Sequence, residues 1–239
     1  MSGGRSDNPW IVQPRPNPRA LIRLFCFPFA GGTAHAFRSW PDGLPASFEV
    51  CSIQLPGRGG RMREPPFSDV NALVQAAVPM MLPYLDRPFA FFGHSMGAVI
   101  SFEIARQLRQ RQLKGPIHLY ASGRRAPQSP ASRPPTYALP EPEFIEHLQR
   151  MNGTPKEVLE HPQLMSLMLP LLRADFAVSQ AYAYREGPPL DCPITACGGV
   201  QDGEVDREEL QAWREQTTAA FPLRLFQGDH FFLQSCQTE

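Results

Sequence analysis

The sequence has little charge and no excess of either sign. Its 239 residues include 23 basic and 23 acidic side chains, so the formal net charge at pH 7 is zero. Charged residues make up 19% of the chain, below the roughly 25% of an average soluble domain. A neutral chain has no long-range field that would attract nucleic acid or an anionic membrane surface. We therefore expect neither of these partners.

Long apolar runs and paired cysteine motifs are also absent. No stretch of about 18 apolar residues is present, as a spanning helix would require, and the first ten residues lack the apolar segment of a secretory signal. The five cysteines are an odd number and include no C-x-x-C pair, which is typical of reduced, structural thiols. The lack of a signal segment and of a spanning helix predicts a cytoplasmic protein. We also expect no metal and no bound cofactor.

Apolar residues make up 42% of the chain, enough for a sizeable core, and the length is near the upper limit for one core. Residues 1–19 are polar and rich in proline, and we expect them to be a mobile N-terminal extension. Residues 20–239 are expected to form a single domain.

Strand and helix patterns alternate through this domain. Short apolar runs that end at turn residues predict strands at 21–27, 49–54, 89–92, 117–122, 194–199 and 223–227. Helical stripes between them predict an α/β fold with a mostly parallel, doubly wound sheet. From about 126 to 184 only helical patterns occur, with an interruption expected at Pro170, and this segment is predicted to be an insertion that covers one edge of the sheet.

Residues 93–97 read Gly-His-Ser-Met-Gly and stand between the apolar run at 89–92 and a helical stripe. A G-x-S-x-G sequence in this context is typical of a nucleophile elbow, the sharp turn that presents a serine at the carboxyl edge of a parallel sheet. The turn is so tight that side chains two residues on either side of the serine would collide, which explains both glycines. Ser95 is therefore the candidate nucleophile.

A serine nucleophile needs a histidine base and an acid that orients the base, in the chain order serine, acid, histidine for this elbow. His230 is the candidate base, because among the downstream histidines it follows directly after a predicted sheet strand. Asp202 is the favoured acid, since it follows the strand at 194–199. Asp206 remains a rival, although Asp206 and Glu209 also fit the D-x-x-E pattern of a helix N-cap.

Two backbone N–H groups must also stabilise the oxygen of the tetrahedral intermediate. Met96 follows the nucleophile and is expected to supply one of them. The small residues of the loop at 29–32 would let backbone approach a substrate. Ala30 is the first choice for the second donor, and Phe29 is the alternative.

Further segments occur in a fixed order and together resemble one family. They are Phe27-Pro28-Phe29-Ala30-Gly31-Gly32, Gln54-Leu55-Pro56-Gly57-Arg58-Gly59, Glu64-Pro65-Pro66, Phe92-Gly93-His94-Ser95-Met96-Gly97-Ala98, Ser122-Gly123-Arg124, Gly153-Thr154-Pro155, Leu172-Arg173-Ala174-Asp175-Phe176 and His230-Phe231-Phe232-Leu233. From about Leu24 to Leu233 the sequence resembles the type II thioesterases, the free-standing hydrolases that accompany nonribosomal peptide and polyketide synthases.

This resemblance implies an α/β-hydrolase fold in which the segment at about 126–184 is a helical lid over the active site. It implies a serine hydrolase that acts on thioester bonds through an acyl-enzyme, with Ser95, Asp202 and His230 as the catalytic triad. The implied substrate is a stalled or aberrant acyl group on the phosphopantetheine arm of an acyl or peptidyl carrier protein. The phosphopantetheine would then belong to the substrate, and the enzyme would act in trans.

Other functions stay open at this stage. A medium-chain acyl thioesterase that terminates fatty-acid synthesis would use the same triad, and so would a carboxylesterase for small molecules. A catalytically inactive hydrolase fold used for binding is disfavoured, because no triad group is missing.

Two sets of residues suggest how a substrate is held. Apolar residues of the lid exceed one narrow helical stripe, and they either line an acyl chamber or pack on the core: Leu164, Met165, Leu167, Met168, Leu171 and Leu172. Arginines clustered on two loops either dock an acidic carrier protein or are simply solvated: Arg58, Arg61, Arg63, Arg124 and Arg125.

Overall fold

The structure is a computed structural model that describes residues 8–131, 133–151, 153–154 and 156–237. Its strands form one sheet: β1 (Ile11–Val12), β2 (Ile22–Phe27), β3 (Phe48–Ile53), β4 (Phe89–His94), β5 (His118–Ser122), β6 (Ile194–Gly199) and β7 (Leu223–Phe226). The strand order is β1-β3-β2-β4-β5-β6-β7. Strand β1 is antiparallel to β3, and the other neighbours are parallel. The predicted α/β class with a mostly parallel sheet is confirmed.

Helices connect the strands and cover the sheet. The α-helices are α1 (Trp40–Gly43), α2 (Val70–Met81), α3 (Met96–Gln110), α4 (Glu141–Met151), α5 (Lys156–Leu159), α6 (Pro162–Gln180), α7 (Arg207–Gln211) and α8 (Phe232–Ser235). Short 3-10 helices span Ala34–Phe37, Gly59–Arg61, Leu82–Tyr84 and Ala212–Gln216. No helix in the described ranges is both long and apolar enough to span a bilayer.

The central strands are apolar along their whole length because both of their faces are covered. On β4, Phe89 and Phe91 pack with α2 and α3 in the larger core cluster. Ala90 packs on the opposite face, in a smaller cluster with Phe37 and Leu233. Two buried faces leave no solvent side that would require alternating polar residues, which is usual for a parallel sheet.

Residues 8–19 do not form a mobile extension, and that prediction is wrong for them. Ile11 pairs with Ile53 in the sheet, and the neighbouring Trp10 is 7% exposed. The guanidinium of Arg61 lies 4.3 Å from the centroid of a Trp10 ring, which adds a cation–π contact. The polar and proline content of the segment concealed this short apolar anchor. Residues 1–7 lie outside the described ranges.

Three helices, α4, α5 and α6, fill the interval between β5 and β6, where the sequence predicted an insertion. The interruption predicted at Pro170 does not occur, since α6 runs through it. Pro170 and Ser166 are both exposed, so water can bond to the Ser166 carbonyl that the missing proline N–H leaves free. We call residues 126–184 the lid.

Candidate active site

Ser95 lies in a sharp turn between β4 and α3. Its backbone has φ 52° and ψ −114°, a left-handed conformation that a residue other than glycine rarely adopts. The turn is held by a 2.7 Å hydrogen bond from the Ser95 N–H to the Ser122 carbonyl. A Cβ on Gly93 would lie 2.2 Å from the Gly97 oxygen, and one on Gly97 would lie 2.1 Å from the Phe27 oxygen. The predicted steric need for both glycines is confirmed.

The structure places His230 and Asp202 in direct contact. Nδ1 of His230 is 2.9 Å from Oδ2 of Asp202, and their side chains are 6% and 0% exposed. Oδ1 of Asp202 accepts hydrogen bonds from the Glu204 and Val205 N–H groups at 2.8 and 3.3 Å. Nε2 of His230 is buried and has no hydrogen-bond partner in the described residues. With its Nδ1 proton donated to Asp202, His230 carries the free lone pair on Nε2.

Gly199 allows the loops that carry these two residues to meet. A Cβ on Gly199 would lie 2.4 Å from the Asp229 carbonyl oxygen and 2.5 Å from that of Gly228. The Gln201 N–H donates to the Gly228 carbonyl at 3.0 Å, which ties the loop after β6 to the loop after β7. Because a side chain at position 199 would keep the two loops apart, this glycine is needed to position the histidine–aspartate pair.

Asp206 has a different environment, at the N-terminus of α7. Its Oδ1 accepts the Glu209 N–H at 2.8 Å, and Oε2 of Glu209 accepts the Asp206 N–H at 3.1 Å. This is a reciprocal capping box. The predicted N-cap role of Asp206 is confirmed, and the histidine contacts Asp202.

His94, next to the serine in sequence, packs against the ring of His230. It is fully buried, its ring centroid lies 5.1 Å from that of His230, and its Nδ1 is 2.9 Å from the Ser122 hydroxyl. A Cβ on Gly123 would lie 2.6 Å from the His94 ring, so glycine is needed there. Burial, followed by the proximity of His230, holds the pKa of His94 well below its ordinary value. No local pattern in the sequence indicates this packing.

Ser95 and His230 line one cavity, together with Phe29 and Ala30 from the loop after β2. The backbone N–H groups of Ala30 and Met96 donate no hydrogen bond within the described part of the chain. Met96 begins the 15-residue helix α3, whose N-terminal partial positive charge favours an anion there. Both N–H groups are thus available to a ligand oxygen at this edge of the sheet.

The lid closes the cavity from above with Leu148, Met151, Gly153, Thr154, Leu172 and Phe176. A Cβ on Gly153 would lie 2.2 Å from the Phe231 ring, so the lid loop rests directly on the residue after His230. The space left over Ser95 is about 20 Å³, which holds roughly one water molecule and no acyl chain. A larger groove of about 1200 Å³ between α1 and α8 contains neither Ser95 nor His230.

The apolar lid residues singled out from the sequence have several different roles. Leu172 lines the cavity, whereas Met165 and Met168 pack within the lid's own cluster. Leu164 and Leu167 are 41% and 59% exposed. Leu172 is thus the member of this set that lines the cavity, and the lid's other lining residues lie on α4, on the loop that follows it and at Phe176.

The arginine clusters are mostly structural. Arg58 and Arg61 are 2% and 7% exposed, and they pair with Asp175 and Glu64. The guanidinium of Arg124 is also buried and donates to the hydroxyl and carbonyl of Ser179, both at 2.7 Å. Burial, followed by the charge of Arg125, lowers the pKa of Arg124 to about 9. Docking by these three arginines is contradicted by their burial.

The sheet, the elbow serine and the buried histidine–aspartate pair after β6 and β7 together define an α/β hydrolase. Residues 22–239 match the family model for the thioesterase domain. The chain belongs to the thioesterase family, and its enzymatic class is that of hydrolases acting on thioesters.

Relatives in the family include thioesterases of NRPS/PKS pathways. The gramicidin S biosynthesis protein GrsT of Aneurinibacillus migulanus is 47% identical over 97% of this chain and 91% of that protein. A solved structure, the RedJ thioesterase from the prodiginine pathway of Streptomyces coelicolor, has a TM-score of 0.85 and 38% identity over 91% of this chain and 81% of that chain. YbtT, a type II thioesterase from the yersiniabactin NRPS/PKS pathway, has a TM-score of 0.84 and 32% identity over 96% and 94% of the two chains.

Proposed function

We propose that this thioesterase removes stalled or aberrant acyl groups from the phosphopantetheine arm of carrier proteins in a nonribosomal peptide or polyketide pathway. Ser95, Asp202 and His230 act as its catalytic triad. The observation that carries this assignment is the buried His230–Asp202 pair, in which His230 keeps an unpaired Nε2 and lines the same cavity as the strained Ser95.

The first half of the reaction acylates the enzyme. Ser95 Oγ attacks the thioester carbonyl carbon while its proton moves to Nε2 of His230. The resulting oxyanion accepts hydrogen bonds from the N–H groups of Ala30 and Met96. Its collapse breaks the carbon–sulfur bond, and the pantetheine sulfur leaves with the proton from His230. The acyl group remains on Ser95 as an ester.

The second half releases the acid. Water gives a proton to Nε2 of His230 and attacks the acyl-enzyme ester through the same oxyanion geometry. Collapse returns the proton to Ser95 Oγ, and the carboxylic acid leaves. Asp202 holds the ring so that Nε2 always faces the reacting atoms, and its buried negative charge stabilises the imidazolium formed in both halves.

Substrate entry requires the lid to move. A cavity of about 20 Å³ over Ser95 cannot hold an acyl group and the end of a pantetheine arm. The lining of this cavity is apolar on both sides, with Leu148, Met151 and Leu172 on the lid and the Phe29–Phe231 pair, whose ring centroids are 5.0 Å apart, on the core.

The carrier-protein partner is supported by the pathways of the relatives and not by a charged docking surface. Among the arginines considered for docking, Arg63 is exposed and Arg125 is half-buried, which is too little for a basic patch. A cytoplasmic location belongs to the same proposal. Cys26, Cys192, Cys197 and Cys236 are free thiols, as a reducing compartment would leave them.

A comparison of substrates tests the function. Acetyl, butyryl, decanoyl and aminoacyl groups would be supplied both on a carrier protein and on free pantetheine. We expect kcat/KM to be higher for the carrier-bound form and to be substantial for short or aminoacyl groups. A sharp preference for decanoyl groups would favour the terminating fatty-acyl thioesterase instead, and hydrolysis of simple esters alone would favour a carboxylesterase.

A further inference from the structure

Asp175 is a buried carboxylate on the lid helix α6 that lies outside the triad. Its side chain is 2% exposed. A charge buried to this extent is costly unless ionic and hydrogen-bonding partners compensate it. Its partners come from two loops of the hydrolase core, one of which carries the oxyanion donor Ala30.

Arg58 supplies the opposite charge from the loop after β3. Its Nη1 donates to Oδ2 of Asp175 at 2.6 Å and its Nη2 donates to Oδ1 at 2.7 Å, in a two-pronged arrangement. The same Nη1 donates to the Gly32 carbonyl at 3.2 Å, and Nε donates to the Pro56 carbonyl at 3.2 Å. The ion pair therefore joins α6 to both loops.

Gly31 provides the third contact. Its backbone N–H donates to Oδ2 of Asp175 at 2.7 Å. Gly31 has φ +75°, and the Gly32 N–H donates to the Phe29 carbonyl at 2.9 Å, which closes a turn around it. A Cβ on Gly31 would lie 2.7 Å from Leu172, so α6 also packs directly on this turn.

These contacts fix the peptide planes on both sides of Ala30. The carbonyl and the N–H of a trans peptide point in opposite directions. Because the Phe29 carbonyl is turned toward Gly32, the N–H of Ala30 points to the other side of the turn. The next peptide is held through the Gly31 N–H by Asp175. The direction of the Ala30 N–H thus depends on a carboxylate that belongs to the lid.

We infer that Asp175, together with Arg58, is a positioning residue that aligns the Ala30 N–H for the oxyanion. Because Asp175 belongs to α6, this alignment depends on α6 being packed against the loop after β2. This inference rests on the proposed function. It assigns Asp175 no proton transfer and no contact with substrate.

Asp175→Asn tests the inference, because the side chain keeps its size and loses its charge. We expect kcat for p-nitrophenyl butyrate to fall on the order of 100-fold, as when one oxyanion donor is lost. KM should change little, since the oxyanion forms after binding. The affinity for butylboronic acid, which adds to the serine and places an oxygen in the same position, should fall by a similar factor.

A matched control comes from a second buried ion pair, far from the site. Arg23 Nε donates to Oε2 of Glu49 at 2.7 Å, with side chains 1% and 4% exposed, near the amino ends of β2 and β3. Glu49→Gln should lower the thermal midpoint as Asp175→Asn does but leave kcat and boronate affinity at wild-type values. If Asp175→Asn kept both values while folded, or if Glu49→Gln lost as much, Asp175 would be a stabilising residue only.

Two further measurements cover the cases in which Asp175→Asn does not fold or the proposed function fails. If Asp175→Asn does not fold, the double variant Arg58→Met, Asp175→Leu removes both charges at similar volume, and the same losses are expected because leucine offers the Gly31 N–H no acceptor. A wild-type enzyme inactive on every thioester would refute the proposed function. The ester and boronate measurements would still decide the role of Asp175.

Discussion

The hydrogen bonds at His230 hold one ring nitrogen and leave the other, which would take the proton, unpaired within the described residues. Asp202 receives three hydrogen bonds and holds Nδ1 of the histidine, whereas Nε2 has no partner in the described residues. His94 supports the ring from behind and is itself held by Ser122. The site is therefore ordered before any substrate arrives, which keeps the cost of reorganisation during reaction low.

Two isosteric substitutions test which aspartate is the catalytic acid. Asp202→Asn should lower turnover by roughly 10⁴, because an amide N–H facing Nδ1 would favour the tautomer that has no lone pair on Nε2. Asp206→Asn should be nearly silent in activity and stability, since asparagine is an equally good N-cap. Steady-state kinetics and thermal unfolding of both variants check this. A reversal of the two phenotypes would move the acid to Asp206.

His94 predicts a pH dependence of stability. Its folded pKa lies well below the value of about 6.5 for an unfolded chain, so the unfolded chain binds the proton first as the pH falls. The free energy of unfolding should therefore decline below pH 6.5, with up to about 1.4 kcal/mol per pH unit from this group. Denaturant unfolding between pH 7.5 and 5.5 should show a smaller slope for His94→Gln than for wild type.

The control for this slope is His35→Gln, at an exposed position. It should leave the wild-type slope in place. An unchanged slope in His94→Gln would mean that His94 is not the group that resists protonation.

At the scale of elements, the sequence predicted the strands and helices that follow a simple apolar pattern. It did not predict contacts between segments that are distant in the chain. The strands and α3 follow from apolar runs and the elbow motif, and Ser95, His230 and Asp202 follow from where those elements end. The Arg58–Asp175 pair joins residues 117 positions apart. Neither residue has a local signature for such a contact, so Arg58 was grouped with surface arginines. Strand β1 was missed because two residues are too short for a periodic pattern.

The lid residues that line the cavity are expected to set how activity depends on acyl chain length. Met151 lines the cavity over Ser95, whereas Leu167 on α6 is 59% exposed. Met151→Trp should reduce kcat/KM for decanoyl substrates at least about 10-fold relative to acetyl, because added bulk removes space that only the longer chain needs. Leu167→Trp should leave the ratio unchanged. A uniform loss in Met151→Trp would show that this position only packs the lid.

At the scale of the whole molecule, the parallel sheet brings residues from three distant parts of the chain to one edge. Ser95 follows β4, Asp202 follows β6 and His230 follows β7, so the carboxyl ends of the strands assemble the site. The lid is inserted between β5 and β6 and reaches back over that edge to contact the loop after β2. The sheet, the lid and the loop after β2 are thus connected to one another. Sequence patterns predicted each of them separately but not the contacts between them.

The most direct test is single-turnover hydrolysis of an acyl carrier protein, followed by mass spectrometry of both proteins. With wild-type enzyme we expect the carrier to lose its acyl group and the enzyme to gain that mass transiently on Ser95. With Ser95→Ala we expect no adduct and a rate lower by several powers of ten. Near-normal hydrolysis by Ser95→Ala, or an acyl carrier left intact by the wild type, would contradict the account.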